Sequence, residues 1–163
     1  MGGGDNQGGI TLSILDRLTD IEPDSAVEGR TSSWEEMRQF KAALCRDLAA
    51  IFNTRRAERD FDPGFEQATN SLLTFGVVDF TSFNLKNGVE QEKVRRSIEN
   101  AIRRFEPRLT RVTVILELPD ALSPVLRFQI DAMLRTGSDS QPVLFNASLY
   151  HDSRQVAVTG GNS

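Results

Sequence analysis

The stretch VRRSIENAIRRFEPRLTRVTVILEL, residues 94–118, changes the spacing of its apolar residues on either side of Pro107. Before the proline they recur at intervals of three or four, which is typical of one face of a helix: Val94, Ile98, Ala101, Ile102 and Phe105. After it they alternate with other residues, as in a strand with one buried face: Val112, Val114, Leu116 and Leu118. Because proline lacks a backbone N–H and cannot extend a helix, Pro107 ends it. The stretch predicts a helix, a stiff corner and a strand.

A longer amphipathic helix is predicted upstream, beginning near Ser33. Glu36 follows Ser33 at the spacing of a capping box. The residues on its apolar face are Met37, Phe40, Leu44, Leu48 and Ile51. Their spacing indicates a helix of roughly 18 residues. A short apolar patch between Ile10 and Leu18 predicts one or two further helical turns.

Residues 53–90 predict mostly loop, because turn-forming residues such as Asp62-Pro63-Gly64 and Asn87-Gly88 interrupt them. The segments 71–76 and 77–80 contain apolar residues that are expected to anchor this loop to the core. A loop of this length in a compact domain is usually functional or contains short helices.

The C-terminal third predicts further strands. Alternating apolar residues run from Phe128 to Leu134 and again from Val143 to Tyr150, with a possible short fourth strand from Gln155 to Thr159. Helices followed by successive strands indicate an α+β fold, in which amphipathic helices pack on a mainly antiparallel sheet formed by the C-terminal half.

Composition limits the classes of function. The 163 residues include 19 basic and 23 acidic side chains, a net charge of -4, which argues against a general nucleic-acid binder. The single Cys45 cannot form an internal disulfide, and no stretch approaches the roughly 20 apolar residues of a membrane span. The first residues do not resemble a secretory signal, so a cytoplasmic protein without direct membrane insertion is expected. We expect a single domain over residues 10–158, with flexible tails at 1–9 and 159–163.

The corner contains two opposite charges. Glu106 and Arg108 flank Pro107, and this arrangement favours a recognition point over a catalytic centre. The alternative is a local ion pair between the two side chains. The nearby arginines, Arg95, Arg96, Arg103 and Arg104, form either a solvated helix face or an extension of a basic contact patch.

In their order along the chain, several segments resemble the TssE family. These are 13–18, Arg46-Asp47-Leu48, 52–56, 71–76, Asp79-Phe80 and the segment from Ile98 to Arg108. TssE proteins are baseplate subunits of bacterial type VI secretion systems, similar to the wedge proteins of contractile phage tails. The resemblance covers roughly residues 10–158, and its most specific part is Phe105-Glu106-Pro107-Arg108-Leu109 between an amphipathic helix and a Val-rich strand.

The resemblance implies an assembly role. TssE-like proteins lie in the cytoplasmic baseplate at the inner membrane, beside TssF, TssG and TssK, and prime assembly of the TssB and TssC sheath. In the phage relatives the Glu-Pro-Arg element docks on neighbouring wedge subunits, which implies partner binding by Glu106, Pro107 and Arg108, with Arg103 and Arg104 as secondary candidates. Exposed strand edges would offer a second interface.

Two alternatives remain from the residues alone, a small adaptor of related fold that binds a regulatory protein and a muralytic hydrolase. Glycoside hydrolysis generally needs two carboxylates about 5 to 10 Å apart, and the spacing of the acidic residues selects no pair. His151 and Cys45, one of each type, provide neither a nucleophilic triad nor a typical zinc site. We therefore expect a non-enzymatic protein with no catalytic residue, metal or cofactor.

This interpretation has consequences for substitutions. Replacing Glu106 or Arg108 with alanine should leave the fold intact but weaken wedge binding and sheath assembly, because a polar contact and not a core side chain is removed. Ile102→Ala and Phe105→Ala should instead cost roughly 2 to 5 kcal/mol through lost packing if those sites are buried.

Overall fold

The computed structural model contains, among the residues that it describes, two helices, a short 3₁₀ turn and four strands. It describes residues 33–56, 67, 71–79, 87–117, 125–136, 139–150 and 155–161, except the side chains of residues 33, 35 and 36. The elements are α1 (Ser33–Asn53), the 3₁₀ turn (Leu72–Thr74), α2 (Gly88–Phe105), β1 (Leu109–Glu117), β2 (Leu126–Thr136), β3 (Asp139–Tyr150) and β4 (Gln155–Gly160).

The four strands form one sheet in chain order, β1-β2-β3-β4, and all three pairings are antiparallel. Each strand thus lies beside the next one along the chain, as short connections favour. The predicted α+β fold is confirmed, and so are the strand after Pro107 and the short fourth strand.

The helices pack at opposite edges of the sheet, α1 against β4 and α2 against β1. Apart from Met37 and Phe105, which are partly buried, the predicted apolar faces are buried: Phe40, Leu44, Leu48 and Ile51 from α1, and Val94, Ile98, Ala101 and Ile102 from α2. They meet the inner face of the sheet, where the Phe52 ring packs edge-on against Phe128 with centroids 5.4 Å apart. Helix periodicity and strand alternation therefore build one core.

A β-bulge interrupts β1 near its start. Thr110 pairs with Met133, but Thr113 pairs with Asp131, so β1 has one residue more than β2 over this interval. Arg111, inside the bulge, has a left-handed backbone with φ 51°. Leu109 and Val112 consequently both face the core, which the alternation that begins at Val112 does not predict.

The expectation that segment 71–76 is an apolar anchor is only partly correct. Leu72 and Leu73 are exposed, whereas Thr74 and Val77 are buried. Val77 anchors the segment by a parallel bridge with Arg55, because its N–H donates to Thr54 O (3.0 Å) and its carbonyl accepts from Arg56 N–H (2.9 Å). Gly76 permits this approach at φ 103°, since a Cβ there would lie 2.2 Å from Thr54 O.

The structure describes the C-terminal end of the predicted domain but not its N-terminal end. Thr159 and Gly160 belong to β4, and Gly161 N–H donates to Leu144 O (2.8 Å), so the C-terminal tail predicted from residue 159 begins too early. The predicted tail at 1–9 and the patch at 10–18 lie outside the described residues. So do the side chains of the predicted capping pair, although α1 does begin at Ser33.

Candidate partner-binding surface

The corner, which we define as Glu106, Pro107 and Arg108, joins α2 to β1. Glu106 N–H donates to Ile102 O (2.8 Å) and closes the last turn of the helix. The Glu106 carbonyl accepts from Leu109 N–H (3.1 Å), and the Arg108 carbonyl accepts from Arg135 N–H of β2 (2.9 Å). Since backbone hydrogen bonds fix both ends, the corner has a defined shape.

Within the corner, Glu106 and Arg108 form a two-pronged ion pair. Arg108 Nε donates to Glu106 Oε1 (2.6 Å), and Arg108 Nη2 donates to Glu106 Oε2. The Arg108 backbone N–H also donates to Oε1 (3.3 Å). Glu106 is 2% exposed. Charge-assisted pairs of this fork geometry are directional and are stronger than neutral hydrogen bonds.

Asp47 of α1 extends the pair into a network. Arg108 Nη2 donates to Asp47 Oδ2 (2.6 Å), and the guanidinium carbon lies 5.5 Å from the centre of the Phe40 ring. Hydrogen bonds to Glu106, and secondarily to Asp47, raise the pKa of Arg108 above its ordinary value. Arg108 Nη1 is buried and has no hydrogen-bond partner among the described residues. The network therefore cross-links α1 to the corner.

The structure thus unites the three predicted site residues, and it contains the local ion pair that the sequence left as an alternative. The expectation that replacing Glu106 removes no core side chain is wrong, because the Glu106 carboxylate is buried. Pro107 is exposed, and the side chains of Arg108 and Asp47 are 20% and 30% exposed. Pro107 and the exposed parts of Arg108 therefore form the outer surface of the corner, and Asp47 of α1 lies beside them.

The sequence did not predict that Asp47 belongs to this network. Asp47 lies 61 positions before Arg108, and its segment was noted only as part of the family resemblance. Its position just before Leu48, on the border of the apolar face of α1, is the one local signal. That signal does not identify which of the 19 basic residues Asp47 would meet.

The secondary candidates Arg103 and Arg104 contact their own chain. Arg103 Nη2 donates to Val112 O (2.9 Å) and lies 3.3 Å from Glu99 Oε2. Buried Glu99 in turn accepts from Val114 N–H through Oε1 (3.0 Å). Arg104 Nη1 donates to the Thr74 hydroxyl oxygen (3.2 Å). Glu99 and Arg103 therefore occupy outward-facing backbone groups of the edge strand β1.

The other two arginines of α2 pair along the helix. Arg95 contacts Glu92 and Glu99, and Arg96 Nε lies 2.5 Å from Glu92 Oε1. Hydrogen bonds from Arg95 and then Arg96 lower the pKa of Glu92 to about 2. These contacts are typical of a charged, solvated helix face.

At the opposite edge of the sheet, Asn53 covers part of β4. Its Nδ2 donates to Val156 O (3.0 Å), and its Oδ1 accepts from Val156 N–H (2.7 Å). The side-chain amide thereby forms the two hydrogen bonds that the backbone of a neighbouring strand would otherwise form with Val156. Since backbone groups two residues apart in a strand point the same way, those of Val158 also face away from β3.

We expect Asn53→Ala to expose the Val156 backbone to water. The loss of two hydrogen bonds at a solvent-accessible site should cost about 1 kcal/mol. Amide hydrogen exchange should become faster at Val156 and remain unchanged at Val114, which α2 protects. Asn100→Ala, at an exposed position of α2, is the matched control. Unchanged exchange at Val156 would show that Asn53 does not protect this edge.

The described residues contain no group of three or more His, Cys, Asp or Glu side chains arranged to hold a metal ion. Half-buried Cys45 has a raised pKa because burial disfavours its thiolate. No described helix combines the length and apolar character needed to cross a membrane.

Comparison with known families places this fold and its corner in context. The sequence model of one family, described as baseplate wedge protein gp25, matches residues 38–139. The match spans more than half of the chain and includes the corner, Asp47 and the sheet from β1 to the start of β3. No curated protein matches the chain. The protein therefore belongs to the family of baseplate wedge protein gp25.

Proposed function

We propose that the protein is a structural wedge subunit of a type VI secretion baseplate, which docks on wedge partners and helps to initiate the contractile sheath. The partners are TssF, TssG and TssK in the wedge and TssB and TssC in the sheath. The site of action is the cytoplasmic baseplate at the inner membrane, and the role requires no catalysis. The baseplate wedge family match supports this proposal.

The cross-linked corner is the observation that supports docking on wedge partners. Glu106, Arg108 and Asp47 fix the geometry of the exposed Pro107 before any partner arrives. A preorganised surface loses little conformational entropy on binding, so more of the contact energy appears as affinity. The buried Glu106 supports this surface from below, while Pro107 and the exposed parts of Arg108 and Asp47 make the contact.

The outer edge of β4 supports the sheath part of the proposal. Asn53 occupies the backbone of Val156, whereas the outward-facing groups of Val158 have no hydrogen bond within the described residues. Unpaired backbone groups at a sheet edge can receive a strand from another chain. At β1 the equivalent groups of Val112 and Val114 are occupied by Arg103 and Glu99. Strand addition at β4 is therefore favoured over addition at β1.

A substitution at exposed Pro107 tests the docking role without removing the buried pair. Pro107→Glu should lower the affinity for purified wedge partners by about tenfold, the loss expected from one well-packed contact. The same variant should form fewer sheaths in cells. Its melting temperature should stay close to that of the wild type, because Pro107 contributes no buried side chain.

Lys93→Glu is the matched control, since Lys93 is exposed and lies three helical turns before the corner. Wild-type affinity and sheath formation in the Pro107 variant would contradict docking through the corner. Release of soluble fragments from peptidoglycan by the purified protein, lost on changing one carboxylate, would overturn the non-enzymatic part.

A further inference from the structure

The 3₁₀ turn presents two adjacent leucines to solvent. Leu72 is 83% exposed and Leu73 67%, whereas the polar Thr74 beside them is 5% exposed. Leucine is among the residues most often buried, and a short turn that packed only for stability would direct it inward. In this turn the apolar side chains are exposed and the polar side chain is buried, which is the reverse of the usual arrangement.

The exposure of the leucines is fixed by the contacts of the turn. Ser71 Oγ accepts from Leu73 N–H (3.2 Å), and Phe75 N–H donates to Leu72 O (3.1 Å). The Thr74 hydroxyl donates to Ser71 O (3.0 Å) and accepts from Arg104 Nη1 (3.2 Å). Both ends of the turn are thus held while the two leucine side chains project from it.

An aromatic contact joins the turn to the corner. The Phe75 ring packs edge-on against Phe105, with centroids 5.0 Å apart and an angle of 67° between the rings. Phe105 is the residue immediately before Glu106, so the contact between the two rings connects the turn that carries the leucines to the corner. Edge-on aromatic pairs of this kind add stability beyond their buried area.

The charge beside the leucines is positive. Two of the three carboxylates of α2 pair with other arginines: Glu92 with Arg95 and Arg96, and Glu99 with Arg95 and Arg103. Arg104 is exposed and has no carboxylate within ion-pair distance among the described residues. Within the described part of the chain, the two leucines therefore lie next to a cation that has no ion-pair partner.

We propose that Leu72, Leu73 and Arg104 form a second docking surface, which binds an acidic amphipathic segment of a wedge partner. Aliphatic or aromatic side chains of that segment cover the leucines, and a carboxylate pairs with Arg104. Charge complementarity selects the acidic segment, and continuity with the corner through Phe105 places it on the same partner assembly. This inference rests on the proposed function.

The experiment measures equilibrium affinity for purified wedge partners at two salt concentrations. Replacing Leu72 and Leu73 together with serine should weaken binding at least tenfold. Arg104→Gln should weaken it severalfold and reduce its salt dependence, and Arg104→Lys should restore part of both. Val89→Ser is the matched control, because Val89 is 65% exposed at the far end of α2. Melting temperatures of all variants establish that each is folded.

The outcomes separate the two hypotheses. Wild-type affinity in the folded double leucine variant would overturn this surface and leave the proposed function intact. A change only in self-association of the free protein would also overturn it, because a second copy would then be the occupant. Failure of the wild-type protein to bind wedge partners would overturn the proposed function, and this inference with it.

Discussion

Glu106→Ala is expected to destabilise the protein strongly, contrary to the expectation from sequence that the fold would stay intact. The substitution leaves the Arg108 guanidinium, which is 20% exposed, without its two-pronged partner. Breaking a buried ion pair typically costs about 3 to 5 kcal/mol, and we expect a value near the lower end because Asp47 still contacts Arg108. Urea unfolding of the purified variant measures this loss.

A double-mutant cycle distinguishes lost pairing from lost packing. Arg108→Ala alone removes the cation and leaves Glu106 buried without its main partner, so it should also be costly. The double variant should lose less unfolding free energy than the two single variants lose together. In the double variant both charges are removed, so neither of them remains buried without the other. Glu117→Ala, at an exposed site of β1, is the control for carboxylate loss. Additive losses in the cycle would show that the pair contributes no coupling energy.

This result bears directly on tests of docking. A Glu106 variant that fails to bind wedge partners has two explanations, an altered surface and a destabilised fold. The exposed Pro107 separates them, because its substitution changes the surface without removing the buried pair.

Ile102→Ala should cost about 2 to 5 kcal/mol, because it removes three carbon atoms from a fully buried side chain and leaves a cavity. Ile102 lies on the face of α2 that packs against β1, so the cavity forms between helix and sheet. Equilibrium unfolding in urea measures the loss, and wedge binding by the folded fraction should be unchanged.

Phe105→Ala should cost less than Ile102→Ala, since Phe105 is only partly buried and packs on one side against Phe75. Ile115→Ala provides the exposed control, because Ile115 is 49% exposed on β1. If Ile102→Ala were no more destabilising than Ile115→Ala, the assignment of Ile102 to the core would be wrong.

Local patterns predicted the elements because each pattern repeats over several turns or residue pairs. The apolar residues of α1 and α2 are spaced so that only a helix can bury them together, and the alternation after Val112 similarly requires a strand. The strand beginning was missed because the Arg111 bulge shifts the alternation between Leu109 and Val112. One extra residue leaves no periodic signal of its own.

The exposure of the leucines in the 3₁₀ turn could not be predicted from the sequence, for a different reason. Leu72 and Leu73 have the composition of buried anchors, and nothing in the sequence specifies which way a turn of three residues faces. Their exposure follows from the contacts that hold the turn, among them those of Thr74 with Arg104 and of Phe75 with Phe105. Those contacts join segments that lie far apart in the chain.

By itself, the sequence determined the helices, the strands, the α+β class and the position of Glu106, Pro107 and Arg108 between helix and strand. Only the tertiary structure decided that Glu106 is buried, that Asp47 contacts Arg108, and that Asn53, Glu99 and Arg103 cover the sheet edges. The physical reason is that periodicity reports which residues avoid water. The partner of a single charge is set by three-dimensional packing, which in this protein brings α1 against the corner between α2 and β1.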